Sequence, residues 1–548
     1  HTLYGCRSIE AGVLTEKSDP FSYTAAGARW VNHEWLSELA FGWTWMTAGE
    51  VGLVLLRNLA VLLIAVVVAQ ALRRSQAGLG AGLLLVVISA ECLSEFVVFV
   101  RPQLVTFVLF TAWLYVLRNY WDCRNRAIWW LPPTMMLRVN CHGGFLAGLG
   151  ILFVVTGCSV IRAAVGTPRS DAGRAEKRLQ KVFEDPSTRE LGAVSILSAV
   201  MTFVNPYGLE MHQMLWTHLI TDQAVREWQP LWSVALPPGT LTSWSFGRSL
   251  LSWAPFLIVV PTLVFSRRWK WIDLAILVVV GWQAVSHLRH VALLILAALV
   301  LLPGPLTDAL SCLFSQLTKR WIRPEARPIR VAGVVGSCAF LAAIQIHGSV
   351  DLWRHGVAPW QIAVECRSFV PGVPVAAVRF LKQNQIEGNL VTDYGWGQFV
   401  IWHCFPGNRV AFDGRYRTVY PPELEQEFFA LQVAFPDNPA TTPILDRHST
   451  EIALVPKGRS VEAYLTGRTD FRLVYSDAQA SVFVRNITRF NDLPGYQEPD
   501  TALLASASTR WTTFPGLENG TCIAETTRGS SVHLPATSLS IVGADAED

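Results

Sequence analysis

Ten apolar stretches dominate the first two thirds of this chain, near residues 52–72, 79–98, 101–117, 127–141, 145–161, 191–204, 250–266, 272–286, 289–303 and 331–347. A helix that crosses a bilayer needs about 20 mostly apolar residues. Lipid leaves no other way of satisfying the backbone of a single segment, so the stretches predict membrane helices. Composition agrees. Hydrophobic residues are 51% of the 548 and charged ones 16%, against about 25% charged in a soluble protein.

Basic residues orient the set, because Lys and Arg are retained on the cytoplasmic side. They fall in every second loop: Arg73 and Arg74; Arg118, Arg124 and Arg126; Arg162 to Lys181; Arg267, Arg268 and Lys270; Lys319 to Arg330. The alternation puts the opening segment, the turn Arg138 to Gly144, the loop Asn205 to Arg248, the turn Ser286 to His290 and everything after about 348 on the outer face. Leu36 to Ala48, with Trp43 and Trp45, is then expected to lie along the outer surface. The expected fold is mainly α, a polytopic transmembrane helix bundle with a small C-terminal extracytoplasmic α/β domain. With basic residues placed for orientation, the net charge of +3 points to no nucleic-acid partner. The 10 Cys include no C-x-x-C pair, so the cysteines lead to the expectation of no metal site and no disulfide framework.

Four regions follow. Residues 1–50 form a first outer loop with a juxtamembrane helix, 51–347 the bundle, 348–486 the outer α/β domain and 487–548 a disordered tail. In the third, helical stretches at Val375 to Gln383, Glu423 to Gln432 and Val461 to Leu465 alternate with β-rich runs at Asn389 to Val391, Arg409 to Phe412, Glu451 to Val455, Phe471 to Tyr475 and Ser481 to Arg485, the pattern of a small α/β domain. The tail is rich in Ser, Thr, Ala and Gly with little apolar periodicity.

Ionisable groups at membrane depth are costly and default to functional candidates. The outer face collects Asp19, His33 and Glu34, then Arg57, Arg101, Arg138, His142, Arg289 and His290. A carboxylate can take a proton from an attacking hydroxyl, and Arg binds phosphate oxygens through its planar fork. Each residue also has a plainer reading: Asp19 before Pro20 as a turn starter, Glu34 as a helix-start residue, Arg57 and Arg101 as snorkelling cations, His142 as a packing histidine. Asp413-Gly414-Arg415 reads as a turn with a local ion pair.

The stretch DPFSYTAAGARWVNHEWLSELAF from Asp19, leading to GLVLLRNLAVLL around Arg57, resembles the first outer loop of the GT-C superfamily of membrane glycosyltransferases, in particular the branch of the aminoarabinose transferases and protein O-mannosyltransferases. SHLRHVALLILAALVLL, carrying Arg289 and His290, is similar to that superfamily's late helix, where a basic residue handles the lipid phosphate. Asn205-Pro206-Tyr207-Gly208 and Asp413-Gly414-Arg415 are similar to recurrent features of a bacterial branch. The resemblance implies transfer of a sugar, with inversion, from a polyprenyl-phosphate donor to a hydroxyl of a lipid, glycan or protein, in the bacterial plasma membrane. Asp19, Glu34 and His33 would be catalytic, and Arg57, Arg101, Arg289 and His290 would hold the donor phosphate. The superfamily's catalytic Asp, just after its first helix, would precede His1. The sugar, the acceptor and a divalent metal stay open. The rival expectation is a non-enzymatic membrane protein, either a structural subunit of a larger assembly or a carrier for an anionic lipid or solute.

Overall fold

The helix Val291–Leu301 (VALLILAALVL) is apolar on every side, and in the computed structural model every one of its residues is buried. Such a helix has no face to give to water, so others pack around it. The structure describes residues 1–75, 77–97, 100–165, 180–220, 226–234, 243–321, 373–433 and 443–493. The expected span at 331–347, most of the basic stretches 162–181 and 319–330, and nearly all of the tail lie outside these. The described chain is mainly helical with one small sheet. It divides into two units: His1–Pro20 with the described parts of Ala25–Val370 and Arg415–Pro422, and Phe21–Thr24 with the described parts of Pro371–Gly414 and Glu423–Asp548.

The longer helices of the first unit are α1 (Thr2–Glu10), α2 (Trp35–Ser75), α3 (Leu79–Val97), α4 (Gln103–Cys123), α5 (Leu131–Cys141), α6 (Phe145–Val165), α7 (Pro186–Met201), α8 (Leu209–Ile220), α9 (Ser243–Phe265), α10 (Trp271–Ser286), α11 (Val291–Leu301) and α12 (Pro303–Trp321). Two are long and apolar enough to cross a membrane: Val51–Ser75 within α2, and α6. A third candidate is Leu288–Leu301 with Pro303–Ser315, bent by 77° at the proline, which disfavours helical backbone in the residue before it. The other expected stretches in the described residues are helical but do not combine that length with that hydropathy. α5, for instance, has 11 residues and starts on Pro132-Pro133, where a missing N–H costs nothing. The ten-crossing expectation is thus met only in its coarser form, a helical unit with two or three candidate spans.

Two glycine effects shape the start of this unit. Gly49, at φ 59°, occupies backbone space that side chains rarely tolerate and separates the first turns of α2 from the span after it. Gly5 and Gly42 let α1 and α2 cross backbone to backbone: a Cβ on Gly5 would lie 1.8 Å from the Glu38 carbonyl oxygen, and one on Gly42 2.4 Å from the Gly5 carbonyl carbon.

In the second unit, α13 (Val375–Gln383), α14 (Gly397–Cys404), α15 (Pro422–Gln432), α16 (Pro443–Arg447) and α17 (Ser460–Thr466) accompany β1 (Gly388–Thr392), β2 (Asn408–Val410), β3 (Ile452–Pro456), β4 (Phe471–Ser476) and β5 (Ala480–Arg485). The sheet order is β2-β1-β3-β5-β4. β1 runs parallel to β2 and β3, with Leu390 opposite Val410 and Ile452, while β5 is antiparallel to β3 and β4. Almost every residue of β3 and β5 is buried, as in strands covered on both faces.

Candidate functional site

Glu34 immediately precedes α2 and Glu38 lies in its first turn, and the Glu38 N–H donates to the Glu34 carbonyl at 3.0 Å, so the two side chains share a face. Asn32, just before them, orients both: its Oδ1 accepts the Glu34 backbone N–H at 3.1 Å, and its Nδ2 donates to Glu38 Oε2 at 2.5 Å. The glycine crossing with α1 then swings His1 over this face. Its Nδ1 stands 2.8 Å from Glu38 Oε1 and 3.5 Å from Glu34 Oε2. Among the described residues His1, Glu34 and Glu38 are the group whose ligand-type atoms converge, all within 4.8 Å of one another.

The turn between α5 and α6 closes the other side. Ser37 Oγ donates to the Cys141 carbonyl and Trp35 Nε1 to Asn140 Oδ1, both at 2.9 Å, tying α2 to the end of α5. His142 Nε2 comes within 3.5 Å of Glu34 Oε1, and His33 Nε2 within 3.8 Å of the same oxygen. His142 Nδ1 accepts the Gly144 backbone N–H at 3.0 Å and faces Thr106 Oγ1 at 3.0 Å. An accepting Nδ1 assigns the proton of the neutral ring to Nε2, directed at Glu34. Burial first, then the charges of Arg289, His33, His1 and Arg138, hold His142 well below the usual histidine range. His1 goes the other way. Burial works against its charge, but Glu34 and then Glu38 outweigh it and raise the imidazole above its ordinary value, with Arg101 opposing.

A second layer carries the guanidinium groups. Arg289 stacks on the Trp228 ring at 4.3 Å, and His218, His287 and His290 meet the same indole edge-on at 4.8, 5.7 and 6.3 Å. Two contacts pin the segment: His287 Nδ1 to the Trp228 carbonyl at 2.8 Å, and the Leu288 N–H donating to the Gln229 carbonyl at 3.1 Å. Arg101 Nη1 lies 3.5 Å from Glu227 Oε1. The layers share one electrostatic neighbourhood, since Arg289 acts on His142, Arg101 acts on His1, and burial followed by His33, Arg289 and Arg417 brings His218 down to about 4.

Of the residues singled out in the sequence, Glu34 and His33 meet each other, Arg289 and His290 share the Trp228 ring, and Arg101 pairs with Glu227. Arg57, 1% exposed within α2, donates from its guanidinium to Asn58 Oδ1. Asp19 is buried against Arg415, whose guanidinium also stacks over Trp30 at 5.0 Å and donates to the Tyr420 hydroxyl at 3.1 Å. That partner lies 396 residues away in sequence. Sequence reading missed His1, Glu38, His218 and Trp228 and took His142 as packing. Only Glu38 carried a signal, its spacing of four from Glu34.

Comparison with described protein families and with curated proteins finds no match to this chain.

Proposed function

We propose that this chain is a membrane glycosyltransferase, moving a sugar from a polyprenyl-phosphate-linked donor to a hydroxyl of a lipid, glycan or protein. The observation that supports this reading is one cluster in which Glu34 and Glu38 share an electrostatic neighbourhood with Arg101 and Arg289. Glu34 activates the acceptor hydroxyl, as base or through a cation that it holds. Arg289, pre-oriented on Trp228, and Arg101 grip the donor phosphate, with His33 and His290 beside them. In this reading the shorter apolar helices also cross, the chain sits in a bacterial plasma membrane, and cluster and second unit face outward.

The test is sugar transfer from polyprenyl-phosphate donors by purified full-length protein. Glu34→Gln keeps size and hydrogen bonding but removes the charge, so transfer should fall about 10²-fold or more. Arg289→Lys keeps charge but loses the planar fork and the stack on Trp228, so KM for the donor should rise. Wild-type rates in both variants would overturn the reading.

A different observation favours the rival, a carrier for an anionic lipid. An apolar cavity of about 210 Å³ lies among α3, α9 and α12, lined by Leu84, Ile88, Leu257, Pro261, Leu306 and Leu310 among others. Lipid binding without transfer, abolished by filling that cavity with Ala254→Trp, would decide for the carrier.

A further inference from the structure

We infer that His1, Glu34 and Glu38 form a binding site for one divalent metal ion of the zinc or manganese class. The inference stands on ligand geometry, independently of the transferase reading. Bonds of about 2.0–2.1 Å to an imidazole nitrogen and carboxylate oxygens set neighbouring ligand atoms roughly 3.4 Å apart at tetrahedral angles. His1 Nδ1 has its two carboxylate neighbours at 2.8 and 3.5 Å, on either side of that value, and all three ligand atoms fall within 4.8 Å.

The oxygens facing His1 are the ones left over by other contacts. Glu38 Oε2 is taken by Asn32 Nδ2, which turns Oε1 toward His1. Glu34 Oε1 faces the proton-bearing Nε2 of His142 and the His33 ring, which turns Oε2 toward His1. This is the outer-shell arrangement that orients metal-binding carboxylates. Charge points the same way. Glu38 is 3% exposed, and among the described residues the two carboxylates have only imidazoles, no Lys or Arg, within ion-pair distance; buried charge is paired or coordinates a metal.

The donor set selects the ion. One imidazole and two carboxylates with no thiolate suit zinc or manganese over copper(I) or iron–sulfur centres. Three protein ligands leave a coordination position free, and the His1 side chain, 26% exposed, gives a route to it. Where the transferase reading also holds, an ion here would polarise a donor phosphate oxygen or acidify an acceptor hydroxyl.

The experiment is metal titration of full-length protein carrying no polyhistidine tag, stripped with chelator, using Co²⁺ read by visible absorption and Mn²⁺ read by the spin resonance of the free ion. One saturable equivalent per chain is expected. Glu38→Gln and His1→Gln should remove it. Asn32→Ala, which deletes the hydrogen bonds to Glu38 and to the Glu34 backbone N–H but removes no ligand, should weaken it about 10- to 100-fold. Melting of the metal-free proteins controls for folding; if Glu38→Gln is destabilised, Asn32→Ala carries the test. No saturable equivalent in wild type, or unchanged binding in the folded variants, overturns the site. Ion binding without sugar transfer overturns the transferase reading alone, and transfer by chelator-stripped protein that binds no ion overturns the metal site alone.

Discussion

Asp19 and Glu34 belong to the same opening segment, yet among the described residues one meets a guanidinium and the other only imidazoles within ion-pair distance. Asp19 has no exposed side-chain surface and meets the Arg415 guanidinium, itself 11% exposed. Removing one partner of a buried pair strands the other charge, at a cost of about 3–5 kcal/mol. Asp19→Asn should therefore lower the melting temperature strongly, whereas Glu34→Gln, which has imidazoles rather than a guanidinium beside it, should leave melting of the metal-free protein near that of wild type. A thermal melt of the two variants separates them: a stable Asp19→Asn protein that no longer transfers sugar would return Asp19 to the catalytic group. The sequence offered both as loop carboxylates of similar standing. What divided them was a partner 396 residues away, beyond the reach of any local pattern. Arg57 shows the same limit of local reading, since nothing in the sequence around it gives the burial of its side chain or its hydrogen bond to Asn58.

At the scale of elements, the site depends on how α1 crosses α2. The reading of the opening residues as outer loop missed α1, because TLYGCRSIE holds a mid-helix Gly and its helicity comes from packing rather than propensity. Gly42 is where the crossing is most easily tested. Its missing Cβ admits the Gly5 and Cys6 backbone at 2.4 and 2.5 Å, and neither can yield as a flexible side chain could. Gly42→Ala should cost about 1–3 kcal/mol by overpacking and push α1, with His1, off the Glu34–Glu38 face. Hydrogen exchange should then rise across residues 2–10 while α6 keeps its protection, and Co²⁺ affinity should drop. Unchanged affinity with α1 displaced would show that His1 is no ligand. Elsewhere the elements were legible. The five β-rich runs after residue 388 coincide with β1 to β5 within a residue or two, because period-two alternation and continuous Val, Ile and Phe runs are local signals. α14 was missed, since GQFVIWHC, apolar around most of its circumference, reads equally well as a strand.

For the whole molecule, the contacts at the ends of the first unit's helices bear on orientation. Arg74 at the end of α2 donates to Cys123 at the end of α4 at 2.9 Å, Lys270 before α10 pairs with Asp122 at 2.7 Å, and the Arg267 N–H donates to Asp308 of α12 at 2.7 Å. The basic ends that the alternation assigns to one side are thus in mutual contact. Cys123 is exposed among them, which makes it a reporter. In cells bearing a variant whose only cysteine is Cys123, an impermeant maleimide should label it only after permeabilisation, while a cysteine placed at Ser460 should label in intact cells. Labelling of Cys123 from outside would reverse the topology and remove the cluster from the outer face. The sequence by itself determined that the first unit is apolar and helical, where its basic residues fall, and that a small α/β unit follows; hydropathy and periodicity are properties of neighbours along the chain. Only tertiary structure decided which charges meet. His1 reaches Glu38 through a glycine crossing, His142 reaches Glu34 through a turn, and Arg415 withdraws Asp19, because contacts between distant segments depend on how helices cross, and crossing is set by side-chain and backbone packing that no window of sequence contains.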